Sequence, residues 1–193
     1  MKELVFLLEE ASAKALLENL LPRLLSQQVH FRLIPFEGKQ DLEKQLVRRI
    51  RAYQNRSARF IVLRDLDSYP DCRALKQRLL DLCQQTGKAE NCLVRLACQE
   101  LETFYLADLT AVEHALLIPG LSKKQSSRKF RAPDTLANPS QELKQLTQQV
   151  YEKVAGSRTI GQHIDLDNTR SSSFRNLIEG IRRLEHELLV LEE

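Results

Sequence analysis

The sequence predicts an α/β fold: a mostly parallel sheet of about four strands flanked by helices, with a C-terminal helical appendage. Three observations predict it. Short apolar runs alternate with longer stretches of helical periodicity through the first half of the chain. The first and third of these runs end in acids, Glu9 and then Asp65 with Asp67. After about residue 115 the alternation stops and only helical spacing remains.

The elements follow in order. Residues 3–9, with Leu4-Val5-Phe6-Leu7-Leu8 closed by Glu9, read as a buried strand. Residues 12–26 carry Leu16, Leu17, Leu20, Leu21, Leu24 and Leu25 at helical spacing, and Pro22 inside them predicts a kink or a local break. Residues 29–34 alternate as a half-buried strand does. Residues 41–54 place Leu42, Leu46, Val47, Ile50 and Tyr53 on one helical face and arginines on the other. Residues 60–64 form the third strand. Pro70 suits the first turn of the next helix, whose stripe is Leu75, Leu79, Leu82 and Cys83 and whose stop is Gly87. Residues 92–97 make a fourth strand and residues 100–108 begin another helix. Alternation of this kind produces βαβ units with right-handed crossovers.

Residues 118–140, rich in Pro, Ser and basic side chains, read as a long loop. Two helices are expected after it. One carries Leu143, Leu146, Val150, Tyr151 and Val154; the other carries Phe174, Leu177, Ile178, Ile181, Leu184 and Leu188. A polar stretch from Gly156 to Ser173 lies between them. Residues 1–115 thus form the α/β core, and 116–193 a basic loop and C-terminal helices packed on it as one globular unit.

Composition is that of an ordinary globular protein, with 193 residues and a net charge of +3. No apolar run approaches the roughly 20 residues needed to cross a bilayer. The first apolar run ends in Glu9-Glu10 and lacks the pattern of a secretory signal, so a cytoplasmic protein is expected. Cys72, Cys83, Cys92 and Cys98 show no zinc spacing and read as reduced, mostly buried thiols. Basic side chains cluster at Arg48, Arg49, Arg51, Arg56 and Arg59, and again at Lys123, Lys124, Arg128, Lys129 and Arg131. Such runs are either solvated faces or, beside a carboxylate site, holders of phosphate.

In a parallel sheet the first and third strands end on the same edge, where such sheets bind ligands. Glu9, Asp65 and Asp67 then meet from distant parts of the chain. Converging carboxylates repel one another, and hard divalent cations, Mg²⁺ above all, suit oxygen ligands of this kind. Gln99-Glu100-Leu101-Glu102 offers further acids. In an extended segment Glu100 and Glu102 share a side. In a helix they diverge by about 200° and only one reaches the site. Asp108 reads as structural or capping, and His163 with Asp165 as a loop pair. Ser171-Ser172-Ser173 either donates to phosphate or caps the last helix.

A strand-end Glu followed by Asp-x-Asp after a later strand resembles the Toprim catalytic core of topoisomerases, primases and small nucleases, including the overcoming-lysogenization-defect nucleases. The resemblance implies that Glu9 serves as metal ligand or general acid/base and that Asp65 and Asp67 hold Mg²⁺ or Mn²⁺. A wider resemblance runs through Leu7-Leu8-Glu9, Val62-Leu63-Arg64-Asp65-Leu66-Asp67-Ser68, Asp71-Cys72-Arg73-Ala74-Leu75-Lys76, the stretch Arg95–Asp108, Lys129-Phe130-Arg131-Ala132-Pro133-Asp134 and Gly156-Ser157-Arg158. On these residues the chain is similar to the DUF4276 family, which is Toprim-like and often encoded beside AAA or ABC-type ATPases in settings resembling phage defence or mobile elements. The resemblance implies an ATPase partner and nucleic acid as substrate. It also implies phosphate contacts by Lys129, Arg131 and Arg158, and metal support from Glu100 or Glu102. The family's first motif usually reads Val-Glu-Gly-x-Thr-Glu; here Glu10 replaces the Gly and Ala13 the second Glu.

Two rival families share parts of the pattern. Haloacid-dehalogenase phosphatases carry Asp-x-Asp after the first strand, not the third. Receiver domains need a Ser or Thr after the fourth strand, where this chain has Ala97-Cys98. The sequence therefore predicts a metal-dependent nuclease cutting DNA or RNA, the effector of an ATPase-linked system. Its alternative is a non-catalytic Toprim-like module that scaffolds or regulates an ATPase. The chain has no Walker-type phosphate loop of its own. The C-terminal stripe, continued by Leu189, Val190 and Leu191, is first a core face and second a surface for oligomerisation.

Overall fold

Strand β1 (Glu3–Leu8) is buried at every residue. A strand can be so only at the centre of a sheet covered by helices on both faces. The computed structural model, which describes residues 1–190, shows why. β1 pairs in parallel with β2 (His30–Pro35) on one side and β3 (Arg59–Asp65) on the other, and β3 pairs in parallel with β4 (Cys92–Ala97). The strand order is β2-β1-β3-β4. The two acid-tipped strands are therefore neighbours at the centre.

Side-chain alternation along these strands builds two cores. Val5, Leu7, Phe60 and Val62 face α2 (Lys39–Arg51) and α3 (Cys72–Gln85), meeting Leu42, Leu46, Ile50, Leu75 and Leu79. Leu4, Phe6, Leu8, Ile61 and Leu63 face the opposite layer. That layer holds α1 (Ala11–Leu24), α4 (Glu102–Leu106), α5 (Leu109–Leu116), α6 (Pro139–Leu146), α7 (Lys153–His163) and α8 (Ser172–Val190). No described helix is long and apolar enough to cross a membrane.

Several expectations are corrected. Pro22 breaks nothing: α1 runs through it to Leu24. Residues 118–140 are no free loop. Leu121 and Phe130 are buried, and the Gln125 side-chain amide donates to the carbonyls of Leu106 and Phe130. The helix expected over Leu143–Val154 ends at Leu146. Gln148 and Gln149 adopt positive φ, and α7 starts anew at Lys153, taking in much of the expected polar linker. Of the four cysteines only Cys83 is fully buried, and Cys72 is exposed. The α8 stripe from Phe174 to Leu188 is consumed by the core, so of the residues considered for an interface only Val190 is strongly exposed; Leu191 lies outside the described residues.

Helix α7 packs so closely on α1 that a Cβ at Gly161 would stand 2.6 Å from the Leu16 carbonyl oxygen. Arg23 fixes the same contact by donating to the carbonyls of Gly161 and Ile164. Gly161→Ala is therefore expected to destabilise the fold by about 1–2 kcal/mol, overpacking outweighing the gain in helix propensity. Urea unfolding measures this directly, and a rise in stability would mean that the two helices separate freely.

Candidate metal centre

Glu9 is the first residue beyond β1, and the chain uses it to stitch the two central strands together. Its N–H donates to the Leu63 carbonyl at 3.2 Å, and its Oε2 accepts from the Asp65 N–H at 3.1 Å. Arg64, buried beneath, approaches the same oxygen at 3.8 Å and pairs also with Glu43, which Arg78 shares. Period-two alternation sends Arg64 toward α2 and α3 and Asp65 to the opposite face, among α4 and α7.

Asp65 is 8% exposed. Burial drives its pKa well above the carboxylate range, and Glu9, Glu102 and Glu10 push it further, against the Leu101 N–H. Glu102, at the start of α4, is fully buried. Its Oε1 accepts from the Tyr151 hydroxyl at 3.0 Å, and its Oε2 has no hydrogen-bond partner. Burial raises its pKa too, with Lys153 and Tyr151 opposing. Glu9 is likewise raised, by burial first and then by Asp67 and Glu10, against the Asp65 N–H and Arg64.

Asp67 closes the group. Its φ is +52°, a left-handed conformation that Asp tolerates better than most residues. Its N–H donates to the carbonyl of Gln99, which is also left-handed. This bond ties the loop after β3 to the loop after β4. Lys39, at the start of α2, donates to Asp67 Oδ2 at 2.9 Å, and that contact raises the lysine's pKa.

Sequence reasoning missed the residue that balances this cluster. Lys153, the first residue of α7, reaches both Glu10 oxygens, at 2.7 and 2.9 Å. Burial works against its charge, yet Glu10, Glu102 and Asp65 outweigh burial and hold its pKa above the ordinary value. Its signal was hidden because residues 147–154 read as the middle of a helix. Glu10, which stands where the resembling family keeps Gly, is thus a partner of Lys153 and of the Ser12 hydroxyl. Ala13 lies buried in α1.

The other expected residues divide. Glu102 joins the cluster. Glu100 turns away, its Oε2 accepting from the Ser140 N–H at the start of α6. Lys129 pairs with Glu142 on α6. Arg131 and Arg158 are exposed, and neither contacts the acids. Asp108 caps α5 through the Ala111 N–H and also accepts from the Asp165 N–H. His163 stacks near His114 and does not pair with Asp165. Ser171 caps α8, its Oγ accepting from the Phe174 N–H.

Among the described residues no three acids, histidines or cysteines stand in metal-ligand geometry, and lysines pair with Asp67 and Glu10. The donor chemistry nonetheless fits a hard divalent cation. The donors are carboxylate oxygens, burial raises the pKa values of Glu9, Asp65 and Glu102 with repulsion adding to it at Glu9 and Asp65, and one buried oxygen of Glu102 is orphaned. Glu9, Asp65 and Glu102 would hold the ion, with Asp67 once released by Lys39.

Comparison with known families matches residues 8–182 to DUF4276, a domain of unknown function. Among solved structures, the C-terminal region of the Burkholderia pseudomallei OLD protein is similar, with a TM-score of 0.54 and 16% sequence identity. The alignment covers 96% of this chain and 98% of that one. No curated protein matches.

Proposed function

The chain belongs to the DUF4276 family, and from that membership and the acid cluster we propose that it is a Toprim-type, metal-dependent nuclease cleaving phosphodiester bonds in DNA or RNA. One observation carries the proposal. Glu9, Asp65 with Asp67, and Glu102 come from three separate segments and converge on one edge of the sheet, where burial raises the pKa values of Glu9, Asp65 and Glu102. Bound there, Mg²⁺ or Mn²⁺ would polarise a phosphate and acidify a water. The chain's own side chains do the rest. Asp65 and Glu102 supply oxygen ligands. Glu9, whose pKa burial raises, would hold or release the proton in the reaction. Lys153 sets a positive charge against the negative charge that accumulates on the phosphate. In the cytoplasm such an enzyme would act as the effector of an AAA or ABC-type ATPase, as the family resemblance implies.

A second reading draws on the Lys39–Asp67 and Lys153–Glu10 ion pairs, which partly neutralise the cluster without a metal. On that reading the chain is a partner-binding module with vestigial acids. Incubation of plasmid, single-stranded DNA and structured RNA with Mg²⁺ or Mn²⁺ separates the two. The nuclease reading expects cleavage that a chelator stops and that Glu9→Gln lowers by roughly 10²–10³-fold. Equal cleavage by wild type and Glu9→Gln would sink it.

A further inference from the structure

Beside the acid cluster, on the β4 edge of the sheet, lies a concavity of ≈ 460 Å³. Its charged lining consists of Arg73 and Lys76 on α3 and Arg95 on β4, with no carboxylate among the residues that line it. Ser172 and Asn176 of α8 add polar groups. Among the described residues neither Arg73 nor Lys76 has an acidic partner within ion-pair distance. The carboxylates at the two helix starts each accept from main-chain N–H groups through one oxygen, and the Oδ1 of Asp134 has no hydrogen-bond partner. Asp71 accepts from the N–H groups of Arg73 and Ala74, and Asp134 from those of Ser172 and Ser173.

Arg95 is held as a built feature. Its Nε donates to the Asn176 carbonyl at 2.8 Å and its Nη1 to the Val94 carbonyl at 3.1 Å, both neutral acceptors. A Cβ on Gly180 would lie 2.7 Å from Leu93 Cδ2 and 2.9 Å from Arg95 Nη2, so this glycine inside α8 makes room for both side chains. Burial and nearby Arg183 work against its charge, and Glu179 only partly offsets them. A half-buried cation whose hydrogen bonds go only to carbonyls, flanked by two exposed and unpaired basic side chains, suits an anion.

Position says which anion. Cys98 of the lining opens the segment that continues through Gln99, whose carbonyl accepts the Asp67 N–H, to Glu102. Cys72, also in the lining, is five residues from Asp67. Five residues of chain span at most about 17 Å, and successive phosphates of one strand advance about 3.4 Å along a duplex axis. We infer that this concavity binds backbone phosphates of the nucleic-acid strand presented to the acid cluster, an inference that rests on the nuclease reading above.

Fluorescence anisotropy of a labelled single-stranded oligonucleotide, with chelator present so that nothing is cut, tests it on the full chain. Arg73→Ser/Lys76→Ser changes two exposed side chains. It is expected to weaken binding roughly 10–30-fold at about 0.1 M salt and to reduce the salt slope by about 1.4. Arg48→Ser/Arg49→Ser, with the same charge change beside the β2 edge, is expected to bind as wild type does. No binding by wild type, no loss in the first variant, or an equal loss in the second overturns the inference. So does displacement by inorganic phosphate at concentrations where chloride of equal ionic strength displaces nothing, which would make this a free-anion site. Binding that needs Arg73 and Lys76, with no cleavage in Mg²⁺ or Mn²⁺, sustains the inference and defeats the nuclease reading. Cleavage with an unchanged KM in the double variant does the reverse.

Discussion

Asp65→Asn is expected to abolish metal-dependent cleavage, a fall of roughly 10³-fold or more, while raising the melting temperature of the metal-free protein. Both effects have one cause. Asp65 is buried beside Glu9, Glu102 and Glu10, and its folded pKa lies well above the ordinary value. A carboxyl raised in this way contributes most to stability below its unfolded pKa of about 3.9, and that contribution is lost as pH rises through the folded pKa. Near neutral pH that contribution is diminished, and a neutral amide, which has no charge to lose or bury, is expected to stabilise the fold by about 0.5–2 kcal/mol. The Asn oxygen still accepts from the Leu101 N–H. Metal reverses the comparison. Mg²⁺ at 100 times its Kd adds about 2.7 kcal/mol to a protein that binds it and nothing to one that does not. Because the ligands must ionise, that gain grows with pH. Thermal melts of both proteins, with chelator and with Mg²⁺, across neutral pH check all three signs. An identical Mg²⁺ shift in Asp65→Asn would remove Asp65 from the metal site.

Lys153→Met is expected to separate metal binding from chemistry. The methionine keeps the length and apolar stem of the lysine and deletes its charge. Cleavage should fall about 10²–10³-fold, the scale for removing one preorganised positive group from a transition state. The Mg²⁺-induced rise in melting temperature should persist, because Lys153 is not a ligand and its loss frees Glu10. Metal-free stability should drop as Glu102 and Asp65 lose their nearest cation, and the drop should shrink when Mg²⁺ is added. Paired cleavage and melting measurements decide the matter. Cleavage within about threefold of wild type would reduce Lys153 to a structural ion pair.

The fold was legible because each level of the sequence agreed with the next. Val5 and Leu7 alternate with Phe6 and Leu8 in a run without polar interruption, and only a central strand accommodates that. Gly87 stands just past the helix it stops, whereas Pro70 lies before α3 and outside its first turn, which Asp71 caps instead. The order of acids, Glu after the first strand and Asp-x-Asp after the third, placed three members of the cluster in advance. What stayed hidden depends on contacts between distant segments. Leu146, Val150, Tyr151 and Val154 keep helical spacing although the chain leaves the helix at Thr147, whose hydroxyl donates to the Leu143 carbonyl and accepts from the Tyr151 N–H. No Gly or Pro marks that exit, so Lys153 looked like an interior helical residue and not the first residue of a helix aimed at the acids. Spacing could not choose between Glu100 and Glu102 either. The choice is made by Tyr151 and by the Ser140 N–H, some 40–50 residues downstream.

The left-handed backbone at Asp67 restricts which chemistry this site can ever explore. Glycine, asparagine and aspartate adopt that conformation more readily than other residues, although Gln99, Gln148 and Gln149 of this chain hold it too. Of the two acids, one is therefore admitted and the other, a methylene longer, is discouraged before any metal is considered. An exchange of Asp for Glu here would carry a backbone cost that the same exchange elsewhere in the cluster does not. The loop thus acts as a ruler, fixing the reach of one carboxylate through the main chain and leaving its neighbours free to vary.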